Sequence, residues 1–332
     1  MTDVLSVRRR ATRLGWPAAR LLALRALGTL AVLVVLSILI FALLYLAPGD
    51  VVKNLLGNRP ATPEAVAAIR AQYHLDESPL DQYLRWLGGF VHGDFGQSVR
   101  LQVPVSEAIS QRLGITALLC GFAFVLAMVV SIPLGVLSAV RAGGWIDRSA
   151  SALAVVGLSA PTFALGLLLL TVFAYLVPIL PVYGVGDGGL DTVLHLTLPA
   201  ITLALGLGAI VVKLTRTAML RELETDYVTS ARARGLSEAT VLRLALRNAA
   251  IPITTGAGLL LTFLVGGTVL AETTFALPGL GTLLRDSVLF KDIAVVQSLT
   301  LLVACVITAI SLLVDLAYLL LDPRVRQSGI PA

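Results

Sequence analysis

Six stretches of this 332-residue chain contain no Asp, Glu, Lys or Arg, and each is long enough to cross a lipid bilayer. They are residues 26–49, 113–140, 149–186, 192–212, 248–271 and 293–314. A helix needs about 20 apolar residues to span the hydrocarbon core. Lipid offers backbone groups no partner, so such stretches satisfy their own hydrogen bonds as helices rather than as open strands. Composition agrees. Only 14% of the residues are charged, against about 25% in soluble domains, too few to coat a soluble globule of this size. The expected fold is an all-α membrane protein with six transmembrane helices.

The first stretch, which holds LGTLAVLVVLSILIFALLYLA, outruns a signal-peptide core of about 7–15 residues and lacks a clear small-x-small cleavage site. It is read as an uncleaved anchor. In the third stretch Pro178, Pro181, Gly184 and Gly186 mark the end of one helix and an exit loop. Cys120 and Cys305 fall inside apolar stretches, which favours packing over a disulfide or a metal cluster.

Lys and Arg placement sets the orientation. With the N-terminus inside, 17 of the 25 Lys and Arg fall in cytoplasmic segments. Six of the other eight lie in the 63-residue segment 50–112, too long to obey the rule. Over short loops the ratio is 17 to 2. Both termini are therefore expected in the cytoplasm. The expected organisation is a cytoplasmic segment 1–25, helix one at 26–47, and an extracytoplasmic loop subdomain at 48–112. A core of helices two to six at 113–320 follows, with a cytoplasmic loop at 213–247 and a tail at 321–332. The outer loop contains PEAVAAIRAQYHLD, which reads as a short amphipathic helix with Pro63 and Glu64 in its first turn. Its second part, SPLDQYLRWLGGFVHGDFGQS, reads as a folded cap at the membrane surface. That cap is either an interfacial aromatic belt or a docking surface for a solute-delivery protein.

The loop 213–247 carries seven basic and four acidic residues. Within it, TDYVTSARARG has an N-cap at Thr225 or Asp226 and Gly235 placed for a left-handed C-cap. A second helix is expected from Ser237, with Glu238 in its first turn. The first helix is expected to present Tyr227, Val228 and Ala231 on one side.

This loop resembles the coupling-helix loop of binding-protein-dependent ABC importer permeases. Ala231 and Gly235 match the general Glu-Ala-Ala-three-residues-Gly pattern, whereas Thr229 and Ser230 depart from it. The phrase DYVTSARARGLS, then LRNAAIP, is similar to the dipeptide, oligopeptide and nickel branch, as is the spacing from Gly235 to Pro252. So are LAPGD, LDQYLRW, GDFGQS, LSAPTF, LAETTFALPGLG and VDLAYLLLDPRVR. Val51 and His74 depart from that branch. The resemblance implies a type I importer permease fold and an ATPase-docking helix formed by Asp226, Tyr227, Val228, Ala231, Arg232, Ala233, Arg234 and Gly235. It implies as partners a second homologous permease, two ATP-binding cassette subunits and an extracytoplasmic binding protein, besides membrane lipid. Nucleic acid is not expected. Di- or oligopeptides are the expected substrates, with nickel, glutathione or another small solute as alternatives.

The chain has three lysines and no Gly-Lys pair, hence no phosphate-binding loop. No cofactor is expected here; ATP and Mg belong to the ATPase partners. A secondary transporter is the rival reading, but His195 is the only ionisable residue inside the six stretches, and it reads as interfacial. Asp315 reads as snorkelling or as paired with an Arg such as Arg324. There is no Gly-x-Ser-x-Gly, no His-Glu-x-x-His and no histidine cluster, so no catalytic constellation is expected. Candidate path residues are the small and polar ones within the spans: Ser159, Pro161 and Thr162 in helix three, and Thr254, Thr255 and Thr268 in helix five.

Overall fold

The computed structural model describes residues 16–46, 52, 56, 62–72 and 76–321. Val51, His74, Arg324, residues 1–15 and the tail from 322 lie outside them. The described elements are helical, apart from one isolated bridge between Gln97 and Pro104. In chain order they are α1 (Trp16–Leu46), α2 (Pro63–Gln72), α3 (Pro79–Val91), α4 (Val105–Val140), α5 (Trp145–Ser159) and α6 (Thr162–Leu170). One π-helical turn (Thr171–Leu176) extends α6. Then come α7 (Gly189–Leu223), α8 (Asp226–Ala233), α9 (Glu238–Asn248), α10 (Ala250–Thr274), α11 (Leu280–Leu289) and α12 (Ile293–Leu321).

Five helices, α1, α4, α7, α10 and α12, are long and apolar enough to cross a membrane singly. The third charge-free stretch corrects the expectation of one helix and an exit loop. It forms α5 and α6, bent by 107° at a break that holds Ala160 and Pro161. Proline forces the residue before it out of the helical region, and Ala160 takes an extended conformation, φ −76° and ψ 129°. Counted as one broken span, this pair brings the candidate spans to six. Helix ends also overrun the charge-free limits. Helix α4 begins at Val105, eight residues before the stretch, and α7 continues to Leu223, eleven residues into the segment expected to be loop.

The core lies where α4, α7 and α10 meet, built from Leu119, Ala123, Leu203, Val211, Leu260 and Leu264 among others. Helix association inside a bilayer depends on close packing, because lipid is as apolar as the side chains. A Cβ on Gly135 would lie 2.7 Å from Thr215 Cβ and 2.9 Å from the Val212 carbonyl oxygen. Gly135→Ala is therefore expected to force α4 and α7 apart and to cost about 1–3 kcal/mol. Thermal unfolding in detergent measures it.

Two satellite clusters sit at opposite ends of α4. At its start, Val105, Ala108 and Ile109 pack with Leu283 of α11 and Val295 and Leu299 of α12. At its end, Ala139 packs with Ala218 and Met219 of α7, Ala245 of α9 and Ile253 of α10. The first end also carries α3, whose N-cap Ser78 accepts from the Asp81 amide. An aromatic ladder joins α3 to α1. Phe41 meets Tyr83 at 5.6 Å and Trp86 at 5.8 Å, and Phe90 meets Phe95 at 5.0 Å.

Candidate functional site

Helix α8 begins after Thr225, whose backbone is extended and whose hydroxyl donates to the Glu222 carbonyl rather than capping the helix. It ends in a full Schellman motif. The Gly235 amide donates to the Arg232 carbonyl at 2.9 Å, and the Leu236 amide donates to that of Ala231 at 3.2 Å. Gly235 has φ +76°, in the region that side-chain-bearing residues avoid. Ser237 then caps α9 by accepting from the Thr240 amide.

The side of α8 that faces out differs from the expected one. Val228 and Ala231 are buried and pack on Val241 of α9. They are three residues apart, so they share one stripe, and that stripe anchors α8 to its own chain. Thr229, Ser230, Arg232, Ala233 and Arg234 are exposed instead. Tyr227 is partly exposed, and its hydroxyl donates to Glu222 Oε2 at 2.6 Å. Burial, with the Glu222 carboxylate beside it, raises the Tyr227 pKa, so the phenol stays neutral. Arg232 joins α8 to α9 through Glu238 at 2.9 and 3.1 Å. The guanidinium lowers the Glu238 pKa, keeping the carboxylate charged. The result is a short, braced helix with a polar and cationic outer face.

The end of α7 that leads into α8 is held by an ion pair. Asp147, at the start of α5, binds Arg216 of α7 through both carboxylate oxygens and also accepts from the Gly143 amide at 2.8 Å. Its side chain is only 5% exposed. Asp147→Asn breaks this pair and leaves the guanidinium short of a counter-charge. It is expected to cost about 2–4 kcal/mol, the lower part of the range reflecting partial exposure of Arg216. Thermal unfolding of the detergent-purified variant checks this.

At the opposite end lies a knot around Glu272, which is fully buried. Its carboxylate accepts from Thr116 Oγ1 of α4 at 2.6 Å and from the Thr282 amide of α11 at 2.9 Å. The Gly281 amide adds a further bond. The Thr116 hydroxyl oxygen in turn accepts from the Leu280 amide at 2.8 Å. One carboxylate thus joins α4, α10 and α11. Sequence reasoning passed over it because Glu272 lies one residue beyond the fifth charge-free stretch. Asp292, one residue before the sixth, is likewise buried and accepts from Ser98 and from the Arg100 amide.

The candidate path residues are not gathered in one place. Ser159 and Pro161 are exposed at the α5–α6 break, with Thr162 half-buried beside them. Thr254 is half-buried on α10. Thr255 shares a hydrogen bond of 2.6 Å with Tyr318 of α12. Thr268 is buried and donates to Val265 of its own helix. Asp315 pairs with an Arg, Arg25 of α1, at 3.2 Å; Arg324 lies outside the described residues. His195 Nδ1 donates to the Asp191 carbonyl, 2.9 Å away, near the start of α7. No group of three potential metal-binding side chains occurs among the described residues.

Residues 131–327 match the family model described as the binding-protein-dependent transport system inner membrane component. Residues 18–120 match the N-terminal model of the same transport-system membrane component. The chain belongs to this permease family. It is 39% identical over 306 residues, covering 91% of this chain and 97% of the relative, to a probable peptide ABC transporter permease of Sinorhizobium fredii. A glutathione transport system permease of Pectobacterium atrosepticum is 37% identical over the same shares of each chain. The fold is also that of a chain in an inward-facing structure of the MetNI methionine ABC transporter. That match has a TM-score of 0.55 and 18% identity, and covers 64% of this permease and 96% of that chain.

Proposed function

We propose that this permease is one membrane-spanning half of an ATP-driven importer that carries di- or oligopeptides across the cytoplasmic membrane. The observation that carries this is α8: a short helix stapled to α9 from within, with its polar face left free for another chain. It lies among the segments holding 17 of the 25 Lys and Arg, so the positive-inside bias puts it, and both termini, in the cytoplasm. An ATPase subunit docks there. A second permease completes the channel, and an extracytoplasmic binding protein delivers substrate at the opposite end. This chain holds no cofactor of its own; ATP and Mg act on the ATPase partners. When those subunits close on ATP, they move α8, and its staple to α9 passes the displacement to α7 and α10. Ser159, Pro161 and Thr162, at the α5–α6 break, and Thr254 on α10 flank the route, while Thr255 ties α10 to α12 and Thr268 lies buried within α10.

Peptides lead as substrate because relatives sharing more than a third of the sequence bear peptide or glutathione transporter names, and glutathione is itself a tripeptide. The test is uptake into proteoliposomes holding both permeases and the ATPases, with binding protein and labelled dipeptide, glutathione or nickel outside. ATP-dependent accumulation of peptide alone is the expected result. Accumulation without ATP, driven by an ion gradient, would overturn the proposal.

A further inference from the structure

Beside the Glu272 knot is a cavity of about 330 Å³ whose lining includes the buried Leu277 and Leu283. Arg100, Arg112 and Arg285 line it, and the only carboxylate among its lining residues is Asp286. Asp286 is shared, 2.6 Å from Arg285 and 3.3 Å from Arg100. Burial opposes its ionisation, and hydrogen bonds from the two arginines outweigh that, so its pKa is lowered and it stays charged. Arg112 forms no ion pair among the described residues; its Nη1 donates to the Ala108 carbonyl of its own helix at 3.1 Å. Three guanidiniums therefore face one carboxylate, and two positive charges are left over.

The arrangement is built rather than incidental. Arg100 stacks on Phe290, 4.1 Å from the ring centroid. Its backbone is pinned by the buried Asp292, which also accepts from Ser98. A guanidinium held by a ring and a backbone anchor loses little freedom on binding, and its fork of N–H donors suits a carboxylate. Lys would supply charge without that fork.

We infer that the cavity of Arg100, Arg112 and Arg285 receives an acidic side chain from the protein that docks on this end of the permease. This rests on the importer reading above, in which that protein is the extracytoplasmic binding protein. Charge complementarity carries the choice of occupant, and Leu277 and Leu283 in the lining accommodate the methylene groups of a Glu or Asp side chain.

The test uses the whole transporter complex in nanodiscs and the purified binding protein that supports uptake. Arg112→Gln with Arg285→Gln is expected to weaken binding of that protein about tenfold, the scale of losing desolvated charge contacts. The double Lys variant is expected to recover part of the loss. Wild-type binding is expected to weaken between about 50 and 300 mM salt, and binding by the Gln variant to change much less. Co-purification of the ATPases shows that each variant assembles, and the wild-type salt dependence stands even if the Gln variant does not. Unchanged affinity in the Gln variant, with salt-insensitive wild-type binding, would overturn the inference. So would an effect confined to nanodiscs containing anionic lipid, which assigns the cavity to a headgroup. A loss seen only as weaker uptake of peptides with a free C-terminal carboxylate, and absent with amidated ones, would assign it to substrate and overturn it too. A wild-type complex that never binds the protein refutes the importer reading itself, a result distinct from these.

Discussion

Glu272→Ala is expected to destabilise the permease by about 3 kcal/mol or more, seen as a lower unfolding temperature in detergent and less folded protein in the membrane. The substitution removes the acceptor for Thr116 and for two backbone amides at the start of α11. Each buried donor left unsatisfied costs about 1–3 kcal/mol, and the missing side chain leaves a void as well. The loss is not confined to one helix. Thr116 also accepts from the Leu280 amide, so α11 loses its carboxylate tie to α10, and its remaining bond to α4 loses the acceptor that orients the Thr116 hydroxyl. Glu272→Gln retains an acceptor for the Thr116 hydroxyl but turns an amide NH₂ toward backbone donors. Its expected cost is smaller, about 1–2 kcal/mol. Equal stability of the Ala variant and the wild type would mean that the knot does not organise this end of the molecule.

The second large effect is at Gly235. A Cβ there would meet nothing within 4 Å, so substitution tests backbone conformation rather than space. Asn enters the left-handed region readily, whereas a β-branched residue does so at a cost of about 1–2 kcal/mol or more. Gly235→Asn is expected to retain ATPase co-purification and uptake. Gly235→Val is expected to open the end of α8, lower ATPase co-purification severalfold and abolish most uptake. The global unfolding temperature should change little, because α8 rests on a small cluster of Val228, Ala231 and Val241. Equal assembly and transport by the two variants would sink the idea that α8 must keep this shape to dock.

The sequence carried some of these features plainly and others hardly at all. Charge-free stretches located the spans because lipid excludes unpaired charge. The same criterion hid Glu272, Asp292 and Asp147. Each borders a stretch by one or two residues, and each is buried by bonds to partners far along the chain. Spacing alone does not reveal Thr116 or Arg216 as those partners. The α5–α6 break was visible only as Pro161, since a proline within an apolar run can kink, end or merely interrupt a helix. Gly235 was legible because a left-handed cap has few other occupants. The outward face of α8 was not. Val228 and Ala231 are apolar whether they meet a partner protein or α9, and only the fold shows Val241 beneath them.

The claim that an ATPase docks on the exposed face of α8 is tested most directly by thiol accessibility. In a background lacking Cys120 and Cys305, Ser230→Cys and Leu80→Cys place single thiols on α8 and, as a control, on α3 at the other end, where Leu80 is 65% exposed. Both should react rapidly in the permease without its ATPase subunits. In the assembled complex Ser230→Cys should be strongly protected while Leu80→Cys reacts as before. Equal reactivity of Ser230→Cys with and without bound ATPase would contradict the account.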